Sequence, residues 1–177
     1  MRNWRIGRTA TRGRRLARRA EALSVEWSER PQAGRRRAAL TELALDSSAT
    51  LSWAFGDEAT PAGDALLREL QGGRRAWVPA LWHLEVANAL LHAKKRGRID
   101  QAGIEKFCTM LQGSEIEVDD QTMTLAWSKT LSLGEAYGLS VYDAAYLELS
   151  LRRGLPLATL DQPLRAACAK AGVKVLL

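Results

Sequence analysis

Cysteine is scarce: Cys108 and Cys168 are the only two in 177 residues, far apart and outside any CxxC or zinc-type spacing. A disulfide framework is excluded, and both thiols are expected to be free side chains of a protein in a reducing cytoplasm. Histidine is as rare. His83 and His92 stand outside any HExxH pattern, which removes that zinc-hydrolase motif. A GxxxxGK[ST] phosphate loop and a GxSxG nucleophile elbow are both missing. Asp46 is followed by Ser47 and Ser48, so the D-x-D of haloacid-dehalogenase-type phosphotransferases is absent too. No apolar run approaches the roughly 20 residues that cross a membrane. No apolar core of a secretory signal opens the chain, and no internal repeat is present.

What is there is apolar content for one packed body, 46% hydrophobic residues, and a lopsided charge. The net charge of +6 is not spread evenly: residues 1–40 carry 12 arginines and three glutamates, +9, and residues 41–177 carry 14 basic and 17 acidic groups, −3. The first 20 residues hold eight arginines and no acid.

Residues 1–40 are therefore expected to form a basic arm with too little apolar surface to offset its ordering entropy. Three accounts of it stand side by side: a solvated tail with a marginal helix near 14–27, a contact for nucleic-acid phosphates, or a segment preceding a natural start near Thr41. No chemistry is assigned to it.

Residues 41–177 alternate short apolar runs with helical patterns. Strands are predicted at 42–46, 75–78, 115–118, 156–160 and 173–176. Helices are predicted near 48–55, 63–71, 80–96, 101–112, 120–137, 141–153 and 162–171. This alternation implies βαβ units: a three-layer α/β/α sandwich around a central, mostly parallel sheet of about five strands.

Four acids then fall at one edge of that sheet. "LALDSSATLSW" ends its apolar run in Asp46, and "LATLD" ends its run in Asp161. Helices that follow parallel strands begin at the same edge, which places Glu85 and Asp143 there as well. Ligands of open α/β sheets bind outside that rim. Each acid also has an ordinary structural role open to it. Asp46 and Asp161 can cap helices, the latter with Pro163 in the first turn. Asp143 can close a capping box with Ser140. Glu85 can belong to a solvated stripe with Asn88 and His92. Together, four crowded carboxylates would repel and take up protons, a conflict that a hard divalent cation, Mg²⁺ or Mn²⁺, removes.

Lys94, Lys95, Arg96, Arg98, Arg74 and Arg75 are candidate phosphate contacts, with a solvated helix end or turn as the alternative. Trp53, Trp77, Trp82 and Trp127 fall within apolar patterns and are expected in the core or at an interface.

These residues resemble a known family. "LALDSSATLSW", "VPALWHLEVANALL", "LSVYDAAYLELS" and "LATLDQPLRAACAKAGVKVL" look, in that order, like the four acidic segments of PIN-domain ribonucleases, specifically toxins of the VapC type. The acids follow one another at intervals of 39, 58 and 18 residues. The resemblance implies a metal-dependent endoribonuclease with Asp46, Glu85, Asp143 and Asp161 as both catalytic and metal-binding residues. It implies Mg²⁺ or Mn²⁺ as cofactor and Thr159 as a supporting hydroxyl. It also implies an RNA substrate, an antitoxin partner, a homodimer and a cytoplasmic location. The basic arm departs from the family pattern. The rival readings are a non-catalytic module that binds nucleic acid or a partner, and a PIN-type nuclease acting on DNA or flaps.

Overall fold

The computed structural model describes residues 41–177; the basic arm at 1–40 lies outside the described residues. Four strands form one sheet: β1 (Glu42–Leu45), β2 (Arg75–Val78), β3 (Ile116–Val118) and β4 (Leu157–Ala158). Their order is β3-β2-β1-β4 and every pairing is parallel. The helices are α1 (Ser47–Leu51), α2 (Pro61–Gln71), α3 (Trp82–Lys95), α4 (Gln101–Gln112), α5 (Thr122–Leu125), α6 (Leu131–Tyr137), α7 (Val141–Arg153) and α8 (Gln162–Ala171). A π-helical stretch, Ala126–Thr130, joins α5 to α6.

The sheet is a strand short of the sequence expectation. Residues 173–176 contribute a single bridge, Leu157 to Val175, instead of a strand, because β4 offers only two residues to pair with. The predicted helix at 120–137 is likewise broken in hydrogen-bonding pattern at Ala126–Thr130.

Burial accounts for the layers. Leu43, Ala44, Leu45, Ala76, Val78, Leu157 and Ala158 are fully buried, as strands covered on both faces must be. Helix α7 forms the densest wall: Ala144 to Arg152 are all buried. It starts at a capping Ser140 and stops at Gly154, whose φ of 67° is the left-handed conformation that glycine adopts without penalty.

A charged network sits inside this apolar frame. Arg152 pairs with Asp119 at 2.7 Å and Glu148 at 2.9 Å. Arg153 reaches the other oxygen of Asp119 at 3.1 Å and lies 3.5 Å over the Trp77 ring. The two arginines do more than complement the helix dipole at the end of α7. They neutralise carboxylates that could not otherwise be buried. Burial by itself would raise the Asp119 pKa, but the hydrogen bonds and charge of Arg152, then Arg153, hold it below its usual range.

Candidate active site

The C-terminal ends of β1 and β4 bring Asp46 and Asp161 to one rim, where α3 and α7 also begin. Asp46 closes β1 and is only 4% exposed. It occupies the position before α1, and its side chain is held mainly by hydroxyls. Its Oδ2 accepts hydroxyls from Ser48 and from Thr159, the latter at 2.6 Å, and Ser47 approaches Oδ1 at 3.3 Å. Burial raises its pKa, against the pull of those hydroxyls.

Glu85 lies in the first turn of α3. Thr50 fixes that end of the helix: its hydroxyl accepts the Trp82 indole N–H at 3.1 Å and donates to the Asp46 carbonyl at 3.0 Å. Glu85 is half-buried and its Oε2 takes a hydrogen bond from the Tyr146 hydroxyl. The solvated stripe with Asn88 and His92 is thus incorrect for Glu85, because an aromatic hydroxyl from α7 shields it. Burial raises its pKa, and the charges of Asp46 and Asp143 add to the rise. Tyr146, fully buried, is raised by burial first and then by Glu85 and Asp46.

Asp143 and Asp161 both reach the rim and both make local hydrogen bonds. Ser140 caps α7 by accepting the Asp143 amide at 3.1 Å, and its hydroxyl donates to Asp143 Oδ2 at 2.6 Å, a side-chain pair in place of the backbone bond of a capping box. Asp161 caps α8 by accepting the Leu164 amide at 2.7 Å. Its own amide donates to Thr159 Oγ1 at 3.1 Å, which ties it to Asp46. Glu85 is near enough to feel the charges of both Asp46 and Asp143, and Asp161 is tied to Asp46 through Thr159. Among the described residues, no three His, Cys, Asp or Glu side chains are gathered in metal-holding geometry.

Several supporting groups escaped sequence reasoning. Ser48, two residues after Asp46, carries no motif of its own in the sequence; it bonds the Asp46 carboxylate and also accepts the Leu160 amide at 3.0 Å. Tyr146 reads as core by periodicity, but its position three residues after Asp143, one helical turn on, was a signal that it faces the same rim.

The candidate phosphate contacts fare unevenly. Arg98 is held by Asp57 and Glu58, each at 2.9 Å, and stacks 4.2 Å over Phe55. Arg74 pairs with Glu69, Arg75 stands 3.8 Å from Glu42, and Lys94 bonds Gln101 at 2.7 Å. These four are engaged in structural contacts. Lys95 and Arg96 are exposed, with no acidic partner among the described residues. Trp127, in the π-helical stretch, is 93% exposed and outside the core; Trp53, Trp77 and Trp82 each place their indole N–H on a protein oxygen.

Residues 43–170 match the PIN domain family. The chain belongs to the PIN domain family. The match spans all four acids, from the first strand into α8. No curated protein sequence matches the chain. Among solved structures, PAE2754 from Pyrobaculum aerophilum is similar in fold: TM-score 0.56 and 24% identity over 76% of this chain and 83% of that one. PIN domains are in general metal-dependent nucleases. The donors of this PIN domain fit such an ion in chemistry. All are carboxylate oxygens, the set preferred by hard divalent cations, and Asp46 and Glu85 are both raised in pKa. No helix among the described residues is long and apolar enough to cross a membrane.

Proposed function

We propose that this PIN domain is a divalent-metal-dependent endoribonuclease, the toxin of a VapC-type toxin–antitoxin pair. The observation that carries the nuclease reading is the half-buried Glu85 within reach of the charges of both Asp46 and Asp143, with Asp161 tied to Asp46 through Thr159. Holding buried and half-buried acids together costs stability, and a site that binds a cation repays it. Asp46, Asp143, Asp161 and Glu85 would hold Mg²⁺ or Mn²⁺, which when bound neutralises the cluster and polarises the phosphate.

The chain's own groups do the rest. Ser48 and Thr159 fix the Asp46 carboxylate. Tyr146 holds Glu85 Oε2; Glu85 would reach the ion through the attacking water and take its proton, where a raised pKa brings a carboxylate closer to useful basicity near neutral pH. The products would be a 5′-phosphate and a 3′-hydroxyl, with no part for the 2′-hydroxyl as nucleophile. The toxin assignment rests on the four acidic segments in order, and with it come an antitoxin partner, a homodimer and a cytoplasmic location.

One observation favours the non-catalytic module: Asp143 bonds the Ser140 hydroxyl and Asp161 caps α8, so both carboxylates have local partners. Incubating the full chain with RNA in Mg²⁺ or Mn²⁺, and again with chelator, separates the two. Cleavage that requires metal and is lost in Asp46→Asn supports the ribonuclease. RNA binding without cleavage supports the module, and cleavage of DNA in preference to RNA supports a DNA or flap nuclease.

A further inference from the structure

Beside the acids lies a cavity of about 400 Å³, within the size range of small-ligand sites. Ser48 and Asp161 form its wall on the acidic side. Leu51 and Phe55 give it an apolar side, and His92 of α3 and Arg96, the residue that ends that helix, also line it. Glu85, Ala89 and His92 follow one another at helical spacing, so one stripe of α3 runs from the acidic rim along the cavity to Arg96 at its end. From Glu85 to His92 the helix rises about 10 Å. The alanines Ala89 and Ala93 keep the wall low.

Arg98 also lines the cavity, but Asp57 and Glu58 neutralise it and Phe55 stacks beneath it. It serves as an end wall. Arg96 is the cation left for an anion.

We infer that this cavity is the subsite for one unpaired nucleotide of an RNA strand, its base on the Leu51–Phe55 side and its phosphate on Arg96, with His92 contacting the unit nearer the acids. The inference rests on the ribonuclease reading for what lies beside it. The exposed Arg96 cation and continuity with Asp161 and Ser48 argue for the strand that is cut. A concave, part-apolar cavity takes an unstacked nucleotide and not a regular duplex, which is recognised through its broad minor groove and backbone.

The test is binding of a labelled single-stranded RNA to the full chain in chelator, by fluorescence anisotropy at several salt concentrations, with Arg96→Ala, Arg96→Glu, His92→Ala and a distant control, Lys106→Ala. The expected result is affinity about fivefold to tenfold weaker in Arg96→Ala, weaker again in Arg96→Glu, with the slope of log affinity against log salt falling by about 0.7 for one lost phosphate. His92→Ala weakens binding with little change in slope, Lys106→Ala matches the parent chain, and an RNA duplex competes poorly. An unchanged affinity and slope in both Arg96 variants overturns the subsite, whether or not the chain cleaves. Retained Arg96-dependent binding with no cleavage in metal overturns the hydrolase reading and leaves the subsite standing.

Discussion

Thr159 Oγ1 donates to Asp46 Oδ2 across 2.6 Å, joining residues 113 positions apart at the ends of adjacent strands. The same oxygen accepts the Asp161 amide at 3.1 Å. One hydroxyl thus sets the orientation of one acid and the backbone of another. Thr159→Val keeps the shape and removes both bonds. Supporting bonds around metal ligands are typically worth 10–100-fold in metal affinity or activity, so a loss of about that size in RNA cleavage is expected. Thr159→Ser, which keeps the hydroxyl, is expected to retain most activity. Cleavage rates of the two variants check it.

Tyr146 offers a second test of support as opposed to packing. Tyr146→Phe removes the donor to Glu85 and nothing else of comparable size. Loss of a hydrogen bond to a charged group costs about 1.5–3 kcal/mol, and relief of the buried phenol offsets part of it. A modest fall in melting temperature with a clear fall in the cleavage rate is expected. Tyr146→Ala would add a cavity in a fully buried place and cost about 3–5 kcal/mol more, as for other large aromatics.

Asp46→Asn separates stability from function. In the absence of metal, the buried carboxylate of Asp46 is a burden: its pKa is raised by burial. The variant is therefore expected to melt no lower than the parent in chelator. In Mn²⁺ the parent gains about 2.7 kcal/mol at a hundredfold excess over Kd, and the variant gains little. Thermal melts with and without metal measure both.

The Asp119 network governs acid stability. A depressed pKa in the folded state means that its contribution is present above the unfolded value, near 3.8, and is lost as pH falls through the folded one. Glu148, facing the same Arg152, is raised by burial against the pull of that arginine, so its contribution has the opposite sign and declines as pH rises through its raised value. Asp119→Asn is expected to cost about 3–5 kcal/mol at neutral pH by leaving Arg152 and Arg153 short of a counter-charge, and to flatten the acid limb of stability below about pH 4. Urea unfolding as a function of pH checks it.

Much of the frame could be read from local pattern. Helix α7 occupies the predicted 141–153 because Ser140 and Gly154 mark its ends, and α4 and β2 keep the predicted bounds 101–112 and 75–78. The placing of Asp46, Asp161 and Glu85 at one edge was legible because strand ends, and the starts of helices that follow strands, share an edge of a parallel sheet; Asp143 reaches it on a helix that follows another helix, α6. The missed features depend on partners remote in sequence. The predicted strand 156–160 shrinks to Leu157–Ala158 because Thr159 turns to Asp46 and Asp161 caps α8. Arg98 stood out as a phosphate contact until Asp57 and Glu58, about 40 residues earlier, claimed it. The π-helical turn that carries Trp127 has no marker in hydrophobic periodicity.

The most direct measurement is titration of the metal-free full chain with Mn²⁺, following the ion by its own magnetic resonance signal, in the parent and in Asp46→Asn, Glu85→Gln, Asp143→Asn and Asp161→Asn. The expected result is saturable binding that weakens by tenfold or more (about 1.4 kcal/mol) in Asp46→Asn and Asp143→Asn, and by less in the other two. No saturable binding, or binding that none of the four changes disturbs, would contradict the assignment of this rim as a metal-dependent nuclease centre.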